Sequence, residues 1–128
     1  INPNAELEYE KKINLTFTTD EELLHQVFTV VISNSIKFVG DGVVIKLSHY
    51  MEKKHHCFEI EDNGPGFQEK IIPFVFERFY RGDDSHSRAA GGSGLGLSIA
   101  KTIINSMGGI ISAHNSKNGG GAVIKIQL

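Results

Sequence analysis

VVIKLSHYMEKKHHCFEIED, residues 43–62, reads as two strands, 43–50 and 55–62, around the charged turn MEKK at 51–54. This is a hairpin, so the pairing is antiparallel and needs no helical crossover. Immediately upstream, VGDG (39–42) breaks a helix with two glycines. That helix covers residues 23–38, where Leu24, Val27, Phe28, Val31, Ile32, Ser35 and Ile36 recur at spacings of three and four and mark one buried face. Asp20 is placed to cap it, with Glu21 and Glu22 in the first turn where negative charge complements the helix dipole. Further back, KINLTFT (12–18) alternates as a half-buried strand does.

Downstream of the hairpin, residues 68–76 form a short helical segment interrupted at Pro73, and 77–94 are polar, charged and small, the composition of an exposed, mobile lid. Residues 95–107 carry apolar side chains at Leu97, Ile99, Ala100, Ile103 and Ile104, and Gly108 is placed to end this helix in a left-handed conformation. A second hairpin closes the chain, 109–115 and 122–128 around the NGGG turn at 118–121. Hairpins interrupted by helices define an α+β class: a two-layer sandwich with a mixed five-stranded sheet packed on three helices, not a doubly wound parallel fold.

With 128 residues, 40% of them hydrophobic, the chain is expected to form one domain spanning 1–128 that buries about two-thirds of its unfolded surface. A net charge of −2 leaves no excess of Lys and Arg for a nucleic-acid backbone or an anionic bilayer, so neither is expected as a partner. No apolar run approaches the roughly 20 residues that cross a membrane. The N-terminal INPNAELEYEKK lacks signal-peptide features, and a start at Ile rather than Met reads as a piece of a longer protein. The single cysteine, Cys57, excludes an internal disulfide and points to an inert thiol in a reducing, cytoplasmic setting.

Three clusters carry chemistry. In DNGPG, Asp62 ends a strand, and Gly64 and Gly66 let backbone approach a flat ligand closely. A carboxylate only accepts hydrogen bonds, so Asp62 suits the exocyclic amino group of adenine and disfavours the oxygen that guanine offers there. Ordinary turn chemistry accounts for the same residues taken alone. GGSGLGLS (91–98) is a glycine-rich loop running into a helix N-terminus, where free amides can hold phosphate; it lacks the Lys of a Walker loop and the spacing of a dinucleotide fingerprint. Late on the long helix, the amide oxygen of Asn34 is a hard ligand fit for magnesium, and Lys37 lies about one turn further on. Adjacent strand residues face opposite ways, which argues against a metal site at His55, His56 and Cys57.

Taken together and in order, NSIKF (34–38), DNGPGF (62–67), FERFYRGD (76–83) and GGSGLGLSIAK (91–101) resemble the four ATP-binding boxes of bacterial sensor histidine kinases. Those kinases belong to the gyrase, heat-shock-protein-90, histidine kinase and MutL superfamily. The resemblance implies ATP and Mg2+ as ligands, with Asn34 on the metal, Lys37 on the phosphates and Phe38 beside the base. It implies Asp62 as the adenine reader above Gly64 and Gly66. Phe76 and Phe79 become lid anchors, and Arg78 and Arg81 the groups approaching the terminal phosphate or the phosphoacceptor domain. Gly92, Gly94 and Gly96 become lid glycines, with Leu95 and Leu97 as its hydrophobic hooks. The implied partners are a dimerisation domain bearing the acceptor histidine and a response regulator, because none of the six histidines here sits in an acceptor context. One position departs: four residues before Asn34, where histidine kinases usually carry Asn and hydrolytic relatives a water-activating Glu, stands Val30. A catalytically weak nucleotide-binding module and an anti-sigma-type serine kinase share the same expected fold.

Overall fold

The computed structural model describes residues 6–9, as backbone, together with 20–78 and 96–128. In chain order its elements are β1 (Glu6–Tyr9), α1 (Glu21–Val39), β2 (Val44–Glu52), β3 (His55–Asp62), a 3-10 helix (Glu69–Phe74), α2 (Gly96–Ser106), β4 (Ile110–Asn115) and β5 (Ala122–Gln127). The strands form one sheet in the order β1-β2-β3-β5-β4. β1 runs parallel to β2, and every other neighbouring pair is antiparallel, so the sheet is mixed as expected.

The first strand in the described residues is Glu6–Tyr9, which the sequence reading did not assign; the expected strand at 12–18 lies outside the described residues. Of the three expected helices, the one at 68–76 is a 3-10 helix. Pro73 inside it has no N–H to give to an α-helical ladder, and a tight i to i+3 turn suffices to bury Ile71.

α1 begins where Asp20 caps it, its Oδ1 accepting from the Leu23 N–H at 3.1 Å. α2 ends at Gly108, whose φ of 77° is the left-handed value expected from sequence, and the Gly109 N–H returns to the Ile104 carbonyl at 3.0 Å. Both helices lie on one face of the sheet. Val27 and Val31 of α1 and Leu97, Ala100, Ile103 and Ile104 of α2 pack with Ile45, Phe58, Ile60, Ile111, Ile124 and Ile126 of the strands. The rings of Phe28 and Phe58 meet edge to face at 5.5 Å and fasten α1 to β3. No helix among the described residues is long and apolar enough to cross a membrane.

The opposite face is polar around two buried residues, Cys57 and Val123. Tyr50 donates to Glu59, Lys125 reaches Glu52 at 3.3 Å, and the Lys125 ammonium lies 5.7 Å from the centre of the Tyr50 ring. Tyr50 pairs in register with Cys57, which is fully buried, and burial pushes the Cys57 thiol up. That agrees with the inert thiol expected from sequence.

The β2–β3 turn is tighter than the four-residue stretch MEKK implied. The strands run on to Glu52 and resume at His55, leaving Lys53 and Lys54 as a two-residue turn at φ 49° and 69°. Left-handed conformation costs a side-chain-bearing residue about 1–2 kcal/mol, and this type of turn prefers Asn-Gly. The double substitution Lys53→Asn, Lys54→Gly is therefore expected to stabilise the protein by about 1 kcal/mol in urea unfolding; a loss of stability would contradict the turn geometry.

Candidate active site

Asp62 is the last residue of β3 and is only 2% exposed. Its Oδ1 accepts from two backbone amides, Gly64 at 3.0 Å and Ala122 at 3.1 Å, while its carbonyl accepts from the Gly121 N–H at 2.9 Å. A carboxylate taken out of water needs such charge-assisted bonds. The fit leaves no room for a side chain at Gly121: a Cβ there would stand 2.1 Å from Asp62 Oδ1 and 2.6 Å from the Gly64 nitrogen.

The loop after Asp62 is tied down on three sides. Asn63 accepts from the Val44 N–H at 2.9 Å and donates to the Gly42 carbonyl at 3.1 Å, binding the loop to the start of β2. Gly64 lies against the last turn of α1, where a Cβ would fall 2.6 Å from Val39 Cγ2. Gly66 adopts φ 79°, which favours glycine, and comes so near Asn115 that a Cβ would meet its Oδ1 at 2.8 Å. Asn115 in turn pairs with the backbone of Phe67, accepting at 2.7 Å and donating at 2.8 Å.

The end of α1 thus borders this loop at Val39, and the last two turns of the helix carry Asn34, Lys37 and Phe38. Asn34 and Phe38 are half-buried and Lys37 is exposed. α2 closes in from the other side: a Cβ on Gly96, its first residue, would sit 3.5 Å from Val30 Cγ1, one turn before Asn34. Val30 packs against the apolar core. Leu97 is itself a core residue. Phe76 packs on the core too, its ring centre 5.9 Å from the Lys101 ammonium of α2, and exposed Arg78 follows it. The structure thus sets Gly64 against Val39 at the end of α1, the helix that carries Asn34, Lys37 and Phe38, and Gly96 against Val30 of the same helix. Phe79, Arg81, Gly92, Gly94 and Leu95 lie outside the described residues.

Four contributors went unnoticed in the sequence: Gly121, Ala122, Asn63 and Asn115. Gly121 stood in a turn whose three glycines look alike, and Asn115 ended a strand with no motif around it. His56 faces His49 across the hairpin at 3.0 Å between ring nitrogens, and among the described residues no group of three or more His, Cys, Asp or Glu is placed to hold a metal.

A mixed sheet under two helices carries this strand-end carboxylate and its glycine loop, and residues 19–128 match the family model "Histidine kinase-, DNA gyrase B-, and HSP90-like ATPase". The chain belongs to that family. Within it the chain is the catalytic ATP-binding domain of a histidine kinase. It is 39% identical over 109 residues to the sensor protein KdpD of Clostridium acetobutylicum, covering 85% of this chain and 12% of KdpD. It is 40% identical over 107 residues to the signal transduction histidine-protein kinase ArlS of Staphylococcus aureus, covering 84% of this chain and 24% of ArlS. The chain therefore spans a quarter or less of the length of these relatives. Among solved structures, the mycobacterial sensor histidine kinase MprB superposes with a TM-score of 0.75 at 28% identity, over 98% of this chain and 81% of that one. Full-length ShkA in complex with AMPPNP superposes with a TM-score of 0.78 at 26% identity, over 96% of this chain and 25% of ShkA.

The crowding at Gly121 is testable without any ligand. Gly121→Ala should destabilise the domain by about 1–3 kcal/mol in urea unfolding, because the methyl group must displace Asp62 or the Gly64 amide. Gly96→Ala, where the new contact is of ordinary length, should change stability far less. Equal effects would contradict the packing described.

Proposed function

We propose that this domain binds Mg-ATP and donates the γ-phosphate to a histidine on a separate dimerisation domain, from which a response regulator takes it in two-component signalling. In this reading residues 1–128 form one ATP-binding unit, working on the cytoplasmic side of its cell. The observation that carries the reading is the buried Asp62 carboxylate, oriented by the Gly64 and Ala122 amides beside the end of α1. Those amides orient the carboxylate, which only accepts hydrogen bonds, and an adenine amino group is a donor that suits it. That ShkA, of the same fold, was solved with AMPPNP supports ATP as the nucleotide.

The base would lie on the backbone of Gly64 and Gly66, with Phe38 beside it, so the phosphates run along α1 past Asn34 and Lys37. The fit to magnesium rests on the chemistry of Asn34, whose half-buried amide oxygen, late on α1, is a hard ligand. Magnesium, when bound, supplies charge neutralisation on the phosphate oxygens, and it commonly takes few protein ligands, with phosphates and water completing its shell. Phosphoryl transfer asks the protein for positioning and charge stabilisation. Lys37 contributes a mobile point charge, Arg78 and Arg81 rigid forks that can grip phosphoryl oxygens. The lid residues Gly92, Gly94, Leu95, Gly96 and Leu97, with Phe76 anchoring the lid's near end, would close over the nucleotide and exclude water. Val30 offers no base to deprotonate water, which favours transfer to histidine over hydrolysis.

A second reading, a catalytically weak nucleotide-binding module, draws on the same residue. Val30 is spent on core packing and on the contact with Gly96, leaving no second amide beside Asn34. A large gain in transfer by Val30→Asn would favour that reading, and an unchanged rate the competent kinase.

Calorimetric titration tests the pocket. Mg-ATP should bind and GTP should bind at least about tenfold more weakly, while Asp62→Asn should cost ATP about ten- to a hundredfold in affinity, the range of a hydrogen bond to a charged group. With a histidine-bearing dimerisation domain added, acid-labile phosphohistidine should appear there and none on this chain alone. Equal binding of GTP would overturn the adenine site; firm ATP binding without phosphohistidine would overturn the kinase assignment.

A further inference from the structure

We propose that Asn115 is a positioning residue for base discrimination: one rung of the β4–β5 hairpin clamps both ends of the base-reading loop, and Asn115 is its distal jaw. The inference rests on the adenine reading of Asp62 given above. Asn115 and Ala122 are direct partners across β4 and β5. From that rung, the Ala122 N–H holds Asp62 Oδ1 at the start of the loop. The Asn115 side chain holds Phe67 at its end, Oδ1 accepting from the Phe67 N–H at 2.7 Å and Nδ2 donating to the Phe67 carbonyl at 2.8 Å. Residues 63–66 are thereby strung between two points of a single rung, although 48 positions separate Phe67 from Asn115 and 60 separate Asp62 from Ala122.

The chemistry is particular to asparagine. The Phe67 backbone presents one donor and one acceptor, and a primary amide of this reach answers both, as a neighbouring strand would. Aspartate answers only the donor, alanine neither. Gly66 has given up its side chain to this contact, since a Cβ would stand 2.8 Å from Asn115 Oδ1. Phe67 is 5% exposed, so its ring anchors the clamp point in the core. With both ends fixed, the distance between the Asp62 carboxylate and the backbone of Gly64 and Gly66 is set by the hairpin. That distance decides how closely the edge of the base meets the Asp62 carboxylate, which accepts from an amino group and repels a carbonyl oxygen. Asn115 therefore acts through the loop and needs no contact with the nucleotide.

The experiment is calorimetry of Mg-ATP and Mg-GTP on the wild-type chain, Asn115→Ala, Asn115→Asp and, as a control for stability alone, the core variant Ile124→Val. Asn115→Ala should lose about tenfold in ATP affinity and at least about threefold in the ATP-to-GTP ratio, the effect of releasing two hydrogen bonds. Asn115→Asp, which keeps the bond to the Phe67 N–H, should recover part of that ratio, and Ile124→Val should keep the wild-type ratio. A folded Asn115→Ala with the wild-type ratio overturns the positioning role while leaving the adenine site intact. Should that variant fail to fold, an Asn115→Asp ratio equal to wild type overturns the role instead. A wild-type chain that does not prefer ATP overturns the adenine reading itself.

Discussion

Burying the Asp62 carboxylate is the constraint around which the site is built. An isolated carboxylate in the interior would be costly, and two backbone amides, from Gly64 and Ala122, offset that cost by meeting one of its oxygens at 3.0 and 3.1 Å. Bonds of this kind demand that three separate pieces of chain come together: the end of β3, the turn that follows it, and the start of β5. Gly121 must lack a side chain for β5 to come so near, and Gly64 must lack one for the turn to lie on Val39 of α1. Satisfying one charge thus brings the sheet, the loop and the helix that carries Asn34 and Lys37 into register.

α1 links core and site. Its middle turns are fastened to the sheet through Phe28 on Phe58 and through Val27 and Val31 in the core. Its last two turns carry Asn34 and Lys37 and end at Val39, against which Gly64 of the loop lies. Val30 stands at the junction. An amide at this position would add a polar group next to Asn34; valine instead extends the core as far as Gly96. Packing has been favoured over polarity at one point in a site that otherwise keeps its polar residues.

Much of this was legible because it is local. The Asp20 cap, the three-and-four periodicity of α1, the β2–β3 hairpin and the glycine at the end of α2 each depend on neighbours within a few residues. The ordered motifs around Asn34, Asp62 and Gly96 could be read for the same reason. What escaped depends on distance in sequence. The four residues of β1 are too few to show a period, and their strand character comes from parallel pairing with β2. Lys53 and Lys54 read as part of a loose charged turn, while strand register forces them into left-handed geometry. Asn115, Gly121 and Ala122 gain their roles from partners 48 to 60 positions away, and no local pattern marks such contacts.

The central claim is that the Asp62 carboxylate, held by the Gly64 and Ala122 amides, reads an adenine base whose phosphates run past Asn34. A crystal structure of this chain with magnesium and a non-hydrolysable ATP analogue tests it most directly. The exocyclic amino group is expected within hydrogen-bonding distance of Asp62, the base against Gly64, and the metal on the Asn34 amide oxygen. A nucleotide bound with its base away from Asp62 would contradict it.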